Sequence, residues 1–245
     1  MDRFSGRASD YVAGRPSYPS EAIDTLFAGL DDPATLTAVD LGAGTGISSR
    51  LLAERGAAVI AVEPNAEMRE RATPCEGVTW QTGSAERTGL PTASAALVTA
   101  FQSFHWFDPA LALREIRRIL RPGGRAAIVY NERDESDPFT AAYGAVVRRY
   151  ATDETERRRK VGRAAFMAWS AWQSVRTVEI GNTQHLDREG LHARARSTSY
   201  LPNEGSAGAD LHAALDALFD DCARDERVTL RLNSILSIAV AAPIR

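Results

Sequence analysis

From about Thr37 the chain alternates short apolar, β-branched runs with stretches whose apolar residues recur at helical spacing. The runs "TAVDLG", "AVIAVEP", "VTWQTG", "AALVTAF" and "RAAIVYN" read as strands. After the first, "GISSRLLAERG" puts Ile47, Leu51 and Leu52 on one helical face and stops at Gly56. A later helix has Asp108 at its cap, Pro109 in its first turn, a stripe of Leu113, Ile116 and Leu120, and "RPGG" at its end. Beyond Asn131 the pattern weakens. Residues 137–172 read as one or two helices, with Arg157–Lys160 as a solvated face. "VRTVEIGN" reads as a strand, "DREGLHARAR" and "GADLHAALDALFDDCARD" as helices, and "RVTLRLNSILSIAVAA" as a closing strand.

Strands alternating with helices predict an α/β fold: a doubly wound, mostly parallel seven-stranded sheet with helices on both faces and a helical lid or insertion. A single domain is expected. Residues 1–36 would form an N-terminal lid and first helix, 37–131 the Rossmann-like cofactor-binding core, and 132–245 a helical insertion plus the strands that complete the sheet.

Composition narrows the partners. At 245 residues and 44% apolar content the chain can bury a full core. A net charge of −3 argues against a phosphate-backbone binder, so nucleic acid is not expected. The polar start "MDRFSGRASD" has no apolar segment of secretory type, and "ILSIAVAAPI" is about half the length that spans a bilayer. No membrane partner is expected. Cys75 and Cys222 fit no metal spacing, and neither do the histidines His185, His192 and His212, which read as surface or structural. A cytoplasmic monomer or homodimer without a bound metal follows.

The chemistry starts at "VDLGAGTG", where Gly42, Gly44 and Gly46 follow the first strand. In a doubly wound sheet this turn faces the ligand. Glycine there permits positive φ and close approach of the backbone. A dinucleotide fingerprint would place its third glycine where this chain has Ile47, and a P-loop would need a lysine. Glu63 ends the next strand, where a carboxylate can accept hydrogen bonds from both ribose hydroxyls. Loop and acid together point to a nucleoside without phosphates.

These residues resemble the class I S-adenosylmethionine-dependent methyltransferases, with "VDLGAGTG" as the first motif and "AVEPNAEM" as the second. Within them the leader "FSGRASDYVAGRPSYP", the stretch "FQSFHWFD" and the tail "ARSTSYLP" are similar to the small-molecule group that includes trans-aconitate methyltransferases. The resemblance implies S-adenosylmethionine as cofactor, S-adenosylhomocysteine as product and a small-molecule acceptor. Asp40, Gly42 and Gly44 would hold the methionine part, Glu63 the ribose, with Pro64 and Phe101 also against the cofactor. Met68 would pack on the adenine, and Ala85 would meet its edge, with Ser84 or Glu86 aiding recognition. Arg15 would meet the methionine carboxylate or form a surface ion pair. Tyr11 and Tyr18 would line the cofactor and acceptor or simply pack the N-terminal arm.

Methyl transfer from a sulfonium needs a positioned nucleophile, exclusion of water and, for some acceptors, a base. His105 follows the fourth strand, and an imidazole titrating near pH 6.5 can serve as that base. It reads either as catalytic or as a positioning hydrogen-bonder. Trp106 and Tyr200 would shape the acceptor pocket and Asn131 would orient a polar acceptor group, while Trp169 and Trp172 read as core. The expected activity is O-methylation of an organic acid or secondary metabolite by direct displacement. Two alternatives stay open: a protein that binds S-adenosylmethionine without transferring its methyl, and an NAD(P)-dependent oxidoreductase.

Overall fold

The structure, a computed structural model, describes residues 15–242. In chain order its helices are α1 (Ser20–Phe27), α2 (Ile47–Ala53), α3 (Ala66–Glu70), α4 (Pro109–Ile119), α5 (Pro138–Tyr150), α6 (Thr155–Met167), α7 (Arg188–Arg196) and α8 (Gly205–Cys222). Its strands are β1 (Thr37–Leu41), β2 (Ala58–Val62), β3 (Val78–Gln81), β4 (Ala95–Phe101), β5 (Leu120–Arg133), β6 (Trp172–Leu186) and β7 (Val228–Ala241).

These elements form one seven-stranded sheet in the order β3-β2-β1-β4-β5-β7-β6. The pairs β1–β2, β1–β4, β2–β3 and β4–β5 are parallel. The chain winds outward from β1 to β3 and then crosses back to β4, so β1 and β4 flank the point where a doubly wound sheet binds its ligand.

The residues gather into two compact units. The first holds Tyr18–Tyr130, Glu156–Ile180 and the chain from Ser234; the second holds the chain up to Ser17, Asn131–Thr155 and Gly181–Asn233. The residues of β5, β6 and β7 are divided between them.

Within the first unit, period-two alternation sorts the strand residues onto two faces. Val39, Leu41, Val98 and Ile128 pack with Leu113, Ile116 and Ile119 of α4. Their sequence neighbours Ala38, Leu97 and Val129 pack with Ile23, Leu26 and Phe27 of α1. Helices therefore cover both faces, as the alternation predicted.

The start of α4 is set locally. Asp108 accepts from the N–H groups of Ala110 and Leu111 at 2.9 and 3.0 Å, and Pro109 occupies the first turn, where its missing N–H costs nothing. Its end differs from the predicted stripe. Leu120 is extended and pairs with Ala95, while the next pair is Leu97 with Arg125. "RPGG" is thus a bulge inside β5, and Leu120 is buried by strand pairing instead of by a last helical turn.

The second unit has its own core, in which Tyr143 and Val147 of α5, Leu191 of α7 and Leu211, Leu215 and Phe219 of α8 surround Leu230 and Leu232. Among the described residues no helix is long and apolar enough to cross a membrane, and no His/Cys/Asp/Glu group is placed to hold a metal ion.

Candidate functional site

The turn from β1 into α2 is a left-handed run, with φ of +64° at Gly42, +58° at Gly44 and +79° at Gly46. That region is costly for any residue with a Cβ. Hydrogen bonds lace it to its surroundings: the Gly42 and Ala43 amides donate to Val62 O at 2.8 and 3.2 Å, and Ser103 Oγ donates to Leu41 O at 2.8 Å. A Cβ on Gly42 would stand 2.8 Å from Ser103 Cβ, and one on Gly46 would stand 2.9 Å from Trp80 Cζ2. Protein packing as well as ligand approach therefore demands glycine at these two positions.

Asp40 lies beneath the loop, fully buried. Its Oδ2 accepts from the hydroxyls of Ser48 and Ser49 at 2.6 and 2.7 Å, and its Oδ1 accepts from Thr99 at 3.0 Å. Burial pushes its pKa up to about 6 against the opposing pull of these three hydroxyls. The carboxylate thus clamps the first turn of α2 to β1 and β4.

Glu63, at the end of β2, accepts from Gly44 N at 3.0 Å through Oε2 and from Asn65 N at 2.8 Å through Oε1. Burial raises its pKa, opposed by the two amides and by nearby Arg69. Two amide donors leave lone pairs on both oxygens, enough for a pair of ribose hydroxyls. Within the loop, Thr45 Oγ1 is buried without a hydrogen-bond partner among the described residues. An orphaned hydroxyl beside a carboxylate with spare lone pairs suits a polar, phosphate-free nucleoside.

The other residues expected at the cofactor follow β2 and β3 or end β4. Met68 is buried and its amide is capped by Asn65 Oδ1 at 3.2 Å, while Pro64 before it is exposed. Reciprocal hydrogen bonds between Ser84 and Arg87 close a tight turn that buries Ala85. Glu86 is half-buried; its Oε1 accepts from Asp108 N at 2.9 Å in an exposed hydrogen bond that ties this turn to the start of α4. Phe101 is buried at the tip of β4 with the edge of Tyr18 against it, ring centroids 4.7 Å apart.

His105 sits in a 3-10 turn, Phe104–Trp106, just beyond β4. It is buried, its ring centroid lies 4.6 Å from that of Trp106, and its Nδ1 lies 3.4 Å from Tyr130 Oη. That separation is long for a hydrogen bond, so the tyrosine contact on the imidazole is a weak one. Tyr130 and the α6 side chains Arg158 and Arg159, which stack on Trp106 and Tyr130, are additions that the sequence reading missed. The available signal was spacing: Arg159, Gly162 and Phe166 share one face of α6, and that face meets Phe104.

Other expected residues lie in the second unit. Arg15 Nη2 donates to Ser197 O at 2.9 Å. Asn131 is buried; its amide donates to Ser17 O at 3.2 Å and its oxygen accepts from Asn182 at 3.3 Å. Tyr200 is buried in the α5–α8 core. His192 pairs with Asp216 at 2.9 Å and stacks on His212, while His185 meets Thr229 Oγ1 at 3.0 Å. Tyr11 lies outside the described residues.

Comparison with known proteins finds methyltransferases. Residues 39–128 match a family model described as a methyltransferase domain. The chain is 42% identical over 148 residues to the uncharacterized methyltransferase Rv3342 of Mycobacterium tuberculosis, a match covering 60% of this chain and 59% of that protein. The match thus spans about three fifths of that relative. The methyltransferase-like protein C25B8.10 of Schizosaccharomyces pombe is 29% identical over 231 residues, covering 89% of this chain and 86% of its own. A solved structure from Anaeromyxobacter dehalogenans, described as a type II methyltransferase, superposes with a TM-score of 0.65 at 26% identity, over 93% of this chain and 97% of that one. Residues 39–128 thus match a methyltransferase domain, and the chain is similar to methyltransferases in sequence and in fold.

Proposed function

We propose that this protein methylates a small organic acid or related metabolite, at oxygen, using the site at the tips of β1, β2 and β4. The observation that supports the reading is the Gly44–Glu63 hydrogen bond, which joins the glycine loop to a carboxylate with lone pairs to spare for a ribose. When bound, S-adenosylmethionine supplies a sulfonium methyl: an acceptor lone pair bonds to the methyl carbon as the S–C bond breaks and its electron pair stays on sulfur.

The chain's own residues bind and orient. Glu63 takes the ribose hydroxyls, the glycine loop lets the methionine end approach the backbone closely, and Met68 and Ala85 wall the adenine. His105 and Trp106 stand at the acceptor side. A carboxylate acceptor is already ionised at neutral pH and releases no proton on methylation, so His105 positions it; a hydroxyl acceptor would give His105 its proton.

The test begins with calorimetric titration of cofactor-stripped protein with S-adenosylmethionine, S-adenosylhomocysteine and NAD. Micromolar binding of the first two and none of NAD supports the reading; NAD binding alone defeats it. A screen of organic acids with isotopically labelled methyl donor then follows. Base-labile label marks a methyl ester, base-stable label marks a methyl ether or transfer to carbon or nitrogen, and absence of transfer with every acid removes the acceptor class.

A further inference from the structure

Around Trp106 and Tyr130 stands positive charge that no carboxylate among the described residues neutralises. Arg159 is half-buried on α6, its Cζ 5.5 Å from the centroid of the Tyr130 ring. Its Nε is buried without a hydrogen-bond partner. Among the described residues the guanidinium makes neither a hydrogen bond nor an ion pair, only the stack on Tyr130. Arg158 next to it is exposed and stacks on Trp106 at 5.9 Å, also without a carboxylate. Elsewhere on the molecule arginines find acids: Arg118 meets Glu115, Arg148 meets Glu135, and Arg188 meets Asp216 and Asp220.

The helix is pressed into this position. A Cβ on Gly162 would come within 3.2 Å of Phe104 Cδ1, and Phe166 packs edge-on against Phe104 at 6.0 Å. One turn before Gly162, that close approach sets Arg159 over Tyr130, whose hydroxyl lies 3.4 Å from His105 Nδ1. A buried N–H donor without a partner is costly, more so when charged, and a planar guanidinium on an aromatic ring keeps its fork of donors free for a carboxylate or phosphate.

We infer that Arg159, backed by Arg158, is an anion-binding subsite beside His105 that recognises a carboxylate or phosphate of the methyl acceptor. This rests on the proposed function for the identity of the ligand, though not for the existence of the subsite. A guanidinium holding the reacting oxygen would withdraw its lone pair and slow attack on the methyl carbon. Arg159 therefore holds an anionic group other than the one methylated, which makes the acceptor at least bifunctional. Arg159 sets specificity and touches no reacting atom.

The test is NMR of arginine Nε–H signals in the full-length protein, titrated with malonate, with the neutral isostere malonamide, with inorganic phosphate and, separately, with S-adenosylhomocysteine. The Arg159 signal is assigned by its loss in Arg159→Lys. The expected result is a saturable shift of that signal with malonate or phosphate at roughly millimolar affinity, and none with malonamide. Whichever of malonate and phosphate binds more tightly identifies the anion.

Arg159→Gln, its fold checked by thermal melting, should weaken anion binding by about tenfold or more, read on the Trp106 indole signal, and Arg159→Lys by less. S-adenosylhomocysteine affinity should not change. Absence of a saturable shift, or equal binding by Arg159→Gln, overturns the subsite. A full shift with S-adenosylhomocysteine alone assigns the arginine to the cofactor's own carboxylate and overturns its role toward the acceptor. Failure of S-adenosylhomocysteine to bind anywhere would count against the methyltransferase reading, while the anion titration still decides the subsite.

Discussion

The amide of Gly44 donates to Glu63 Oε2 at 3.0 Å across 19 residues of sequence, so one carboxylate both holds the glycine loop and remains open to a ligand. The ends of β1 and β2 are coupled through it. Loss of Glu63 therefore removes a ligand acceptor and loosens the loop that faces the same ligand.

Glu63→Ala is expected to weaken S-adenosylhomocysteine binding by about tenfold or more, the value of one or two charge-assisted hydrogen bonds. Glu63→Gln, which keeps an oxygen for Gly44 N–H, should lose less. Calorimetry on both variants checks the order; equal affinity in wild type and Glu63→Ala would remove the ribose assignment.

Gly42→Ala combines a left-handed φ of +64° with a Cβ only 2.8 Å from that of Ser103. Gly123 has a similar φ of +71° and nothing within 4 Å of the added Cβ. Both variants carry a conformational penalty of about 1–2 kcal/mol, and only Gly42→Ala adds a steric one. Denaturant melts should rank Gly42→Ala well below Gly123→Ala, and Ser103→Gly should recover part of the difference.

Asp40 gives a pH signature of unusual sign. Its folded pKa, about 6, lies above the ordinary value of 3.8, so between those values the native state holds more protons than the unfolded chain. Stability contributed by this group is full below about pH 4, falls as pH rises to about 6 and is flat above, a loss of about 3 kcal/mol at most. Asp40→Asn abolishes the titration. The stability of wild type minus that of Asp40→Asn, measured by melts from pH 4 to pH 8, should decline through that window and then level; a flat difference would show that Asp40 does not titrate there.

His105→Gln should lower kcat for the acceptor found by screening, by roughly 10²-fold or more if a proton must be removed and by less if the acceptor is a carboxylate. Cofactor affinity should hold within about twofold, because His105 lies beyond β4 and outside the Glu63 corner. An unchanged kcat removes His105 from the chemistry.

The amino-acid pattern alone determined the strand-and-helix alternation, the doubly wound sheet and the glycine loop with its acid. Each depends on local periodicity, on capping by Asp108 and Pro109, or on residues close to a strand end. Tertiary structure decided what the buried groups are committed to. Asp40 is a ligand candidate by motif, and its oxygens also face Ser48, Ser49 and Thr99, two of them across the glycine loop in the first turn of α2 and the third on a neighbouring strand. Glu86 is likewise spent on the start of α4. Arg157–Lys160 reads as a solvated run because charge marks exposure on average. Only the docking of Gly162 on Phe104 shows that Arg159 is turned onto Tyr130 with its donors unmet. Periodicity reports which side of an element is buried; which polar atoms meet there depends on contacts between residues far apart in the chain, and those exist only once the sheet has closed.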